Sequence, residues 1–399
     1  MDSPARGPYD RRIVDLVVEH GSLDRPAIAR LAGVSRPSAG ELVARLMAEG
    51  ILEEVGERVS GRRGPNAILY SLREGLATVG GVEVQPGFAA AHLADVSGRE
   101  LEKVVVTGEP DDEPESLVAR AVQRAAKLSG ISPDALRTVT VAAPGIVGTD
   151  GDMAYVDGHP AWSTGLRARL ERALGVHVHL ENDVKLAALA EQRVGAAQGA
   201  DSYALLRCDD SVSSAVVLGG RVVRGRHGAA GEIGYLPSWS RGRQPASRLQ
   251  DLLGTRELSA ALADLRATVP DDVGAPEPTP EDVLAGRALP QLREPFLAEV
   301  SRRFTFAVAA LCAVVDPELV VLAGPPVTAG GPDLADAVAS SIHERTPFRP
   351  QVRLSALADT ECRPAVRGAL VSALDSCRDL VYGLSPVYLP AGPPLRPAR

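Results

Sequence analysis

The sequence predicts an α/β chain in which a winged helix-turn-helix precedes a longer body of two α/β halves. Three observations predict it. Short, capped helical segments with apolar stripes are followed by a hairpin before residue 75. The strand and helix order that begins at Thr78 returns from Tyr203 onward. At 399 residues, the chain is long enough for two or three domains with sizeable cores. The expected division is a DNA-binding module over 1–75, lobes over 76–200 and 201–382, and a proline-rich tail over 383–399.

In the first helix, Ile13, Leu16, Val17 and the aliphatic part of Glu19 form an i, i+3, i+4 stripe ending at His20-Gly21, where glycine can take a left-handed cap. Asp24 is placed to cap a second helix through Ile28, Ala29 and Leu31, which the Ala32-Gly33 turn ends. Ser35 supplies the hydroxyl cap of a third helix running to Gly50. Its inward face is Leu42, Val43 and Leu46, which leaves Arg36, Ser38, Glu41 and Arg45 pointing away. In a helix-turn-helix the start of this helix enters the major groove, so Ser35, Arg36 and Ser38, with Arg45 further along, are the candidate DNA contacts. Ile51-Leu52 and the alternation Ile68, Tyr70, Leu72 predict a hairpin with its tip over Gly56 to Asn66. Arg58, Arg62 and Arg63 on that tip suit phosphates or a narrow minor groove.

In the body, strands are predicted at Gly81–Val84, Phe88–Ala94, Leu101–Val106 and Val139–Ala143, with a helix over 114–129 before the last. The second half offers Tyr203–Arg207, Val212–Leu218, a Gly219-Gly220 turn, Val222-Val223 and Leu319–Leu322. Two such halves face one another across a cleft, with ligands at the carboxyl ends of the strands. Val269 to Pro280, rich in proline and acid, reads as a surface loop or disordered insertion.

The net charge of −8 rules out bulk attraction to nucleic acid, so DNA affinity must come from local placement of arginines. No apolar run is long enough to span a bilayer, and no cleavable leader is visible; the expected location is the cytoplasm, with no membrane partner. Cys208, Cys312, Cys362 and Cys377 are scattered without metal-ligand spacing, and read as buried thiols.

Several motifs together carry a resemblance: Gly33-Val34-Ser35-Arg36, Ser60-Gly61-Arg62-Arg63-Gly64-Pro65, Ala143-Pro144-Gly145-Ile146-Val147, Glu181-Asn182-Asp183 and Gly228-Ala229-Ala230-Gly231-Glu232-Ile233-Gly234. Over nearly its full length the chain resembles the ROK family of repressors, open reading frames and kinases. The resemblance implies an actin-like, sugar-kinase-like body behind the winged helix-turn-helix. It also implies a ligand site at Asn182, Asp183, Glu232, Tyr235 and His159, with Asp183 where family kinases keep their general base.

The chain departs from the family's kinase pattern at each nucleotide contact. The first phosphate loop becomes Glu83-Val84-Gln85-Pro86-Gly87, where proline supplies no N–H. The second becomes Asp209-Asp210-Ser211-Val212-Ser213, whose carboxylates would repel a polyphosphate by about 1 to 4 kcal/mol per close pair. The glycine pair near adenosine becomes Gly324-Pro325-Pro326. Gly158, Tyr235 and Gln250 replace family sugar contacts, and a Trp239 to Pro245 run without cysteines replaces the family zinc site. The expectation is therefore a transcriptional regulator, a repressor without phosphotransfer, cofactor or metal. It would bind double-stranded operator DNA as a homodimer or tetramer and sense a sugar or an altered ligand. Asp183 then serves as an acceptor for a ligand hydroxyl, as the cap of the helix Val184 to Val194, or as both. The alternatives are an ATP-dependent sugar kinase using Asp183 as base, and a protein-binding scaffold.

Overall fold

The computed structural model describes residues 7–58, 67–132, 135–159, 162–163, 165–238, 247–268, 277–357 and 363–381. The 383–399 tail and most of the hairpin tip lie outside them.

The N-terminal module consists of α1 (Pro8–His20), β1 (Leu23–Asp24), α2 (Arg25–Ala32), α3 (Arg36–Ala48), β2 (Leu52–Arg58) and β3 (Ala67–Leu72). Asp24 accepts a hydrogen bond from the Ala27 N–H at 2.8 Å, and Gly33 closes α2 in the left-handed conformation. Val14 joins Ile13, Leu16 and Val17 on the buried face of α1, while Glu19 is exposed, because the stripe turns one residue further than its charged end suggested. On α3, Ala39, Val43 and Leu46 are buried and Leu42 only partly so. Two backbone features were not read from the sequence. β1, two residues long, pairs with β3 through Leu23 and Tyr70, and β2 runs on past Gly56, which sits at a register shift within the strand rather than in the tip.

The first lobe contains β4 (Thr78–Gln85), β5 (Phe88–Asp95), β6 (Glu100–Thr107), α4 (Pro114–Leu128), β7 (Leu136–Ala143), the small hairpin β8 (Ile146–Val147) and β9 (Met153–Tyr155), α5 (Leu166–Leu174), β10 (His177–Asn182) and α6 (Asp183–Val194). Its sheet order is β10-β7-β4-β5-β6, antiparallel through β4, β5 and β6 and parallel at β7 and β10. The second lobe repeats this plan. It contains β11 (Tyr203–Cys208), β12 (Val212–Leu218), β13 (Arg221–Val222), β14 (Pro237–Ser238), β15 (Ser247–Arg248), α7 (Gln250–Leu253), α8 (Thr255–Arg266), α9 (Pro280–Leu284), α10 (Pro290–Val315), β16 (Leu319–Ala323), α11 (Pro325–Arg345), β17 (Gln351–Leu354) and α12 (Pro364–Val381). Its order β13-β12-β11-β16-β17 is that of the first sheet. The proline-rich stretch read as a loop ends in structure: Thr279 and Asp282 form a reciprocal capping box that starts α9 at Pro280.

Each lobe lends its last helix to the other. Residues Val184, Ala187 and Ala188 of α6 pack with Leu205, Ala215 and Val321 of the second sheet. The sequence boundaries put α12 in the second lobe, yet Leu370, Ala373 and Cys377 join one buried cluster with Val79 and Ala94 of the first sheet and with the core of the N-terminal module. Glycine permits this crossing. A Cβ on Gly81 of β4 would lie 2.3 Å from the Leu370 nitrogen, and one on Gly368 of α12 would lie 1.8 Å from the Leu186 carbonyl oxygen of α6.

Gly368→Ala or Gly81→Ala should therefore lower the stability of the chain by at least about 2 kcal/mol, since backbone must move to admit the methyl group. Gly40→Ala on α3, where an added Cβ meets nothing within 4 Å, should instead raise it by about 0.5 to 1 kcal/mol. Urea unfolding of the three variants measures both; similar midpoints for all three would contradict the packing argument.

Candidate functional site

Two surfaces carry chemistry. On the N-terminal module, Ser35 Oγ accepts from the Ser38 N–H at 3.2 Å and lies 2.8 Å from Ser38 Oγ, so both hydroxyls are committed to capping α3. Arg36, the first residue of α3, is exposed and makes no hydrogen bond or ion pair among the described residues, which leaves its guanidinium available to a groove. Arg45 Nη2 sits 2.5 Å from Oδ1 of Asp10, which is 1% exposed, and that hydrogen bond raises the arginine pKa. Arg45 thus ties α3 to α1 while its side chain stays half exposed. Arg58 pairs through its backbone with Ala67 at the end of β2, and Arg62 and Arg63 lie outside the described residues.

The second surface is a cleft of about 870 Å³ between the lobes. Asn182, Asp183, Glu232, Tyr235 and His159 all line it, with Gly158 and Gln250. The parallel strands β7 and β10 bring Pro144-Gly145 and Asn182-Asp183 to one edge, because both end there. The helix cap is Asn182, not Asp183: its Oδ1 accepts from the Lys185 N–H at 3.0 Å, and Asp183 is the first helical residue. Asn182 Nδ2 also donates to the Gly145 carbonyl at 2.9 Å. Asp183 accepts from Gln85 Nε2 at 3.0 Å on one oxygen and from the Val184 N–H at 2.9 Å on the other. Burial pushes its pKa up to about 6; Arg207 opposes the shift, and Glu83 and Asp209 add to it.

In the turns facing this cleft some amide donors are absent and others are engaged. Pro86-Gly87 is a two-residue connection between β4 and β5 in which proline has no N–H and Gly87 takes φ 84°. In the β11–β12 turn, the Asp209 N–H donates to the Ser211 carbonyl and the Ser211 N–H to Asp209 Oδ1, each at 3.0 Å. Of the two carboxylates there, Asp209 is held by Arg207 Nε at 2.8 Å and Asp210 is exposed. Pro325 and Pro326 occupy the first turn of α11 and remove two N–H groups where a helix otherwise offers them.

At the rim, side chains from both lobes meet. The Arg248 guanidinium lies 4.9 Å from the Tyr235 ring centre and 4.0 Å from Asp157, to which Tyr155 donates at 3.1 Å. Burial and the hydrogen bond to Tyr155 push the Tyr235 phenol up to about 12. His159 packs its ring 5.8 Å from that of Trp162.

The ROK family signature matches residues 79–244. The chain carries a ROK-family domain. Among curated relatives, the DNA-binding transcriptional dual regulator NagC of Escherichia coli (strain K12) is 26% identical over 225 residues, 55% of each chain. The chain spans little more than half the length of the curated repressors it matches. Among solved structures, a ROK family transcriptional regulator described as a homolog of the E. coli MLC protein has the same fold, with a TM-score of 0.72 at 18% identity over 94% of this chain and 98% of that one. A ROK hexokinase from Thermus thermophilus gives a TM-score of 0.60 at 26% identity over 76% of this chain and 99% of that one.

Within the ROK domain, Lys185 and Arg224 escaped the sequence reading, and Gly228 entered it only as part of a motif. Lys185, 2% exposed, donates Nζ to the Gly228 carbonyl, and burial lowers its pKa against the pull of Glu181 and Glu232. Arg224 Nε meets the buried Glu181 at 2.5 Å. Gly228 lies so close to β8 that a Cβ would fall 1.8 Å from the Val147 oxygen. The segment carrying Glu232 is thereby strapped across onto the first lobe. A lysine on the apolar face of α6, in a chain whose basic residues are almost all arginine, was the visible signal. Cys208, Cys312 and Cys377 are buried thiols. Cys362 and the 239–246 segment, the place of the family zinc run, lie outside the described residues, and among those described no helix is long and apolar enough to cross a membrane.

Because Asp183 binds its proton more tightly in the folded chain than in the unfolded one, its contribution is present below the ordinary carboxyl pKa and lost as pH rises through about 6. Asp183→Asn should remove that loss. Urea midpoints at about pH 5 and pH 7 should then fall less in the variant than in the unsubstituted chain; equal falls would mean that the carboxyl titrates in its usual range.

Proposed function

We propose that the chain is a DNA-binding transcriptional regulator, a repressor, whose ROK domain senses a small hydroxylated molecule and transfers no phosphoryl group. The observation that carries the reading is a helix-turn-helix, with Arg36 unengaged at the start of its third helix, joined to a cleft whose phosphate-facing turns have lost or spent their amide donors. Phosphoryl transfer rests on positioning and neutralising phosphates, so a carboxylate base alone is insufficient. The likeness to solved structures supports the same reading: the regulator matches 94% of this chain and the hexokinase 76%, a difference about the size of the N-terminal module. The functional unit is a homodimer or a tetramer, so that paired modules meet a palindromic operator in the cytoplasm.

The cleft suits a polyhydroxylated ligand held by Asn182, Asp183 and Glu232, with Tyr235 and His159 at its rim. One observation favours a kinase as the second reading: a buried carboxyl with its pKa near 6 is suited to general base work at neutral pH. A coupled assay over hexoses and N-acetylated hexoses with ATP decides between them; turnover abolished by Asp183→Asn would establish the kinase and sink the regulator without phosphotransfer.

For DNA, Arg36→Ala should blur base preference by about 1 to 3 kcal/mol at one operator position. Arg62→Ala combined with Arg63→Ala should weaken binding to all sequences and reduce the salt slope by about one per lost phosphate contact. Gel shifts with selected genomic fragments at several salt concentrations read both effects, and unchanged binding in both variants would refute the residue assignment.

A further inference from the structure

Helix α12 begins at the cleft, and its far half belongs to the buried cluster that also holds the core of the N-terminal module. Arg363, immediately before its first turn, places Nε 2.7 Å from Glu83 Oε2 and its guanidinium 4.7 Å from the centre of the Phe88 ring. Glu83 is fully buried. Gln85, two residues along on the same face of β4, donates to Asp183 at 3.0 Å and reaches Glu83 Oε1 at 3.5 Å. An unbroken polar chain therefore runs from the carboxylate of the cleft to the root of α12: Asp183, Gln85, Glu83, Arg363.

The rest of α12 carries that seat away from the cleft. Eighteen residues of helix span roughly 27 Å. Along this length Gly368 rests on the Leu186 carbonyl of α6, the helix that Asp183 opens. Leu370, Ala373 and Cys377 belong to the cluster that contains Ile13, Ile28 and Val43 of the module, and Arg378 Nε donates to the Val96 carbonyl at 3.0 Å. A close-packed rod of this kind passes displacement on instead of absorbing it.

We propose that Glu83 and Arg363 are positioning residues that set the seat of α12, and that through α12 the state of the cleft is imposed on the DNA-reading module. A ligand hydroxyl that takes Asp183 displaces Gln85, whose amide is left with Glu83 Oε1 as its acceptor and pulls on the carboxylate that holds Arg363 through Oε2. The purpose of this coupling rests on the regulator reading; its test does not. Hydrogen–deuterium exchange on the full chain, without DNA or ligand, is measured for Glu83→Gln, Arg363→Met and the double variant, in which no charge is left buried without a partner.

Amides of Ile28, Ala29, Val43 and Leu46 should exchange about 5- to 150-fold faster in the variants, the ordinary range for coupled sites, while those of Leu205 and Val321 in the second sheet keep their rates. The double variant decides the matter should a single one fail to fold. Module amides that exchange in it at the unsubstituted rate, or an acceleration spread equally over the second sheet, would overturn the proposal. Gel shifts of the same proteins form a separate arm: an unsubstituted chain that retains no DNA removes the regulator reading and leaves the exchange result standing.

Discussion

The architecture depends on a backbone-to-backbone crossing. Two helices, each following the last strand of one lobe and covering the sheet of the other, touch where Gly368 meets the Leu186 carbonyl, and a second glycine in β4 lets the sheet approach Leu370. Any side chain at either point would separate the lobes and lift α12 off the first sheet. The cleft, the seat of Asp183 at the head of α6 and the surface on which the N-terminal module rests all follow from how closely those two helices approach.

Around that crossing, charges in and beside the cleft are paired with one another. Glu83 answers Arg363, Asp209 answers Arg207, and Glu181 answers Arg224. Lys185 lies between acidic neighbours and a carbonyl oxygen. Buried charges paired in this way are costly to separate, because the partner left behind stays unsolvated. Among the residues that line the cleft, Arg207 and Arg363 are already paired with Asp209 and Glu83, while Asp183, Glu232 and the exposed Asp210 add further carboxyl groups.

Much of the secondary structure was legible because its causes are local. Asp24 and Ser35 cap their helices as their types dictate, and the Gly219-Gly220 turn fixes the hairpin of β12 and β13 in the second lobe. The Asn182, Asp183, Glu232, Tyr235 and His159 set was legible only through the family motifs, since those residues are far apart in sequence and meet across lobes. What stayed hidden were pairings at long sequence separation. The pairing of Arg45 with Asp10 is one such case, and the choice between Asn182 and Asp183 as helix cap is a one-residue question that propensity cannot resolve, since both types cap well. The swap of α12 onto the first lobe was invisible for the same reason: its apolar face says that it is buried, not against which sheet.

The shared cluster beneath the helix-turn-helix also bears on how such proteins diversify. The buried cluster of the N-terminal module continues into Val79, Ala94, Leu370 and Cys377, residues that belong to the body, so its core is not closed off from the body's. A recombination that joined a foreign head at residue 75 would deliver it onto a surface shaped for another, with its apolar underside poorly matched. A change in the exposed residues of α3 leaves this shared core untouched, whereas an exchange of the whole head does not.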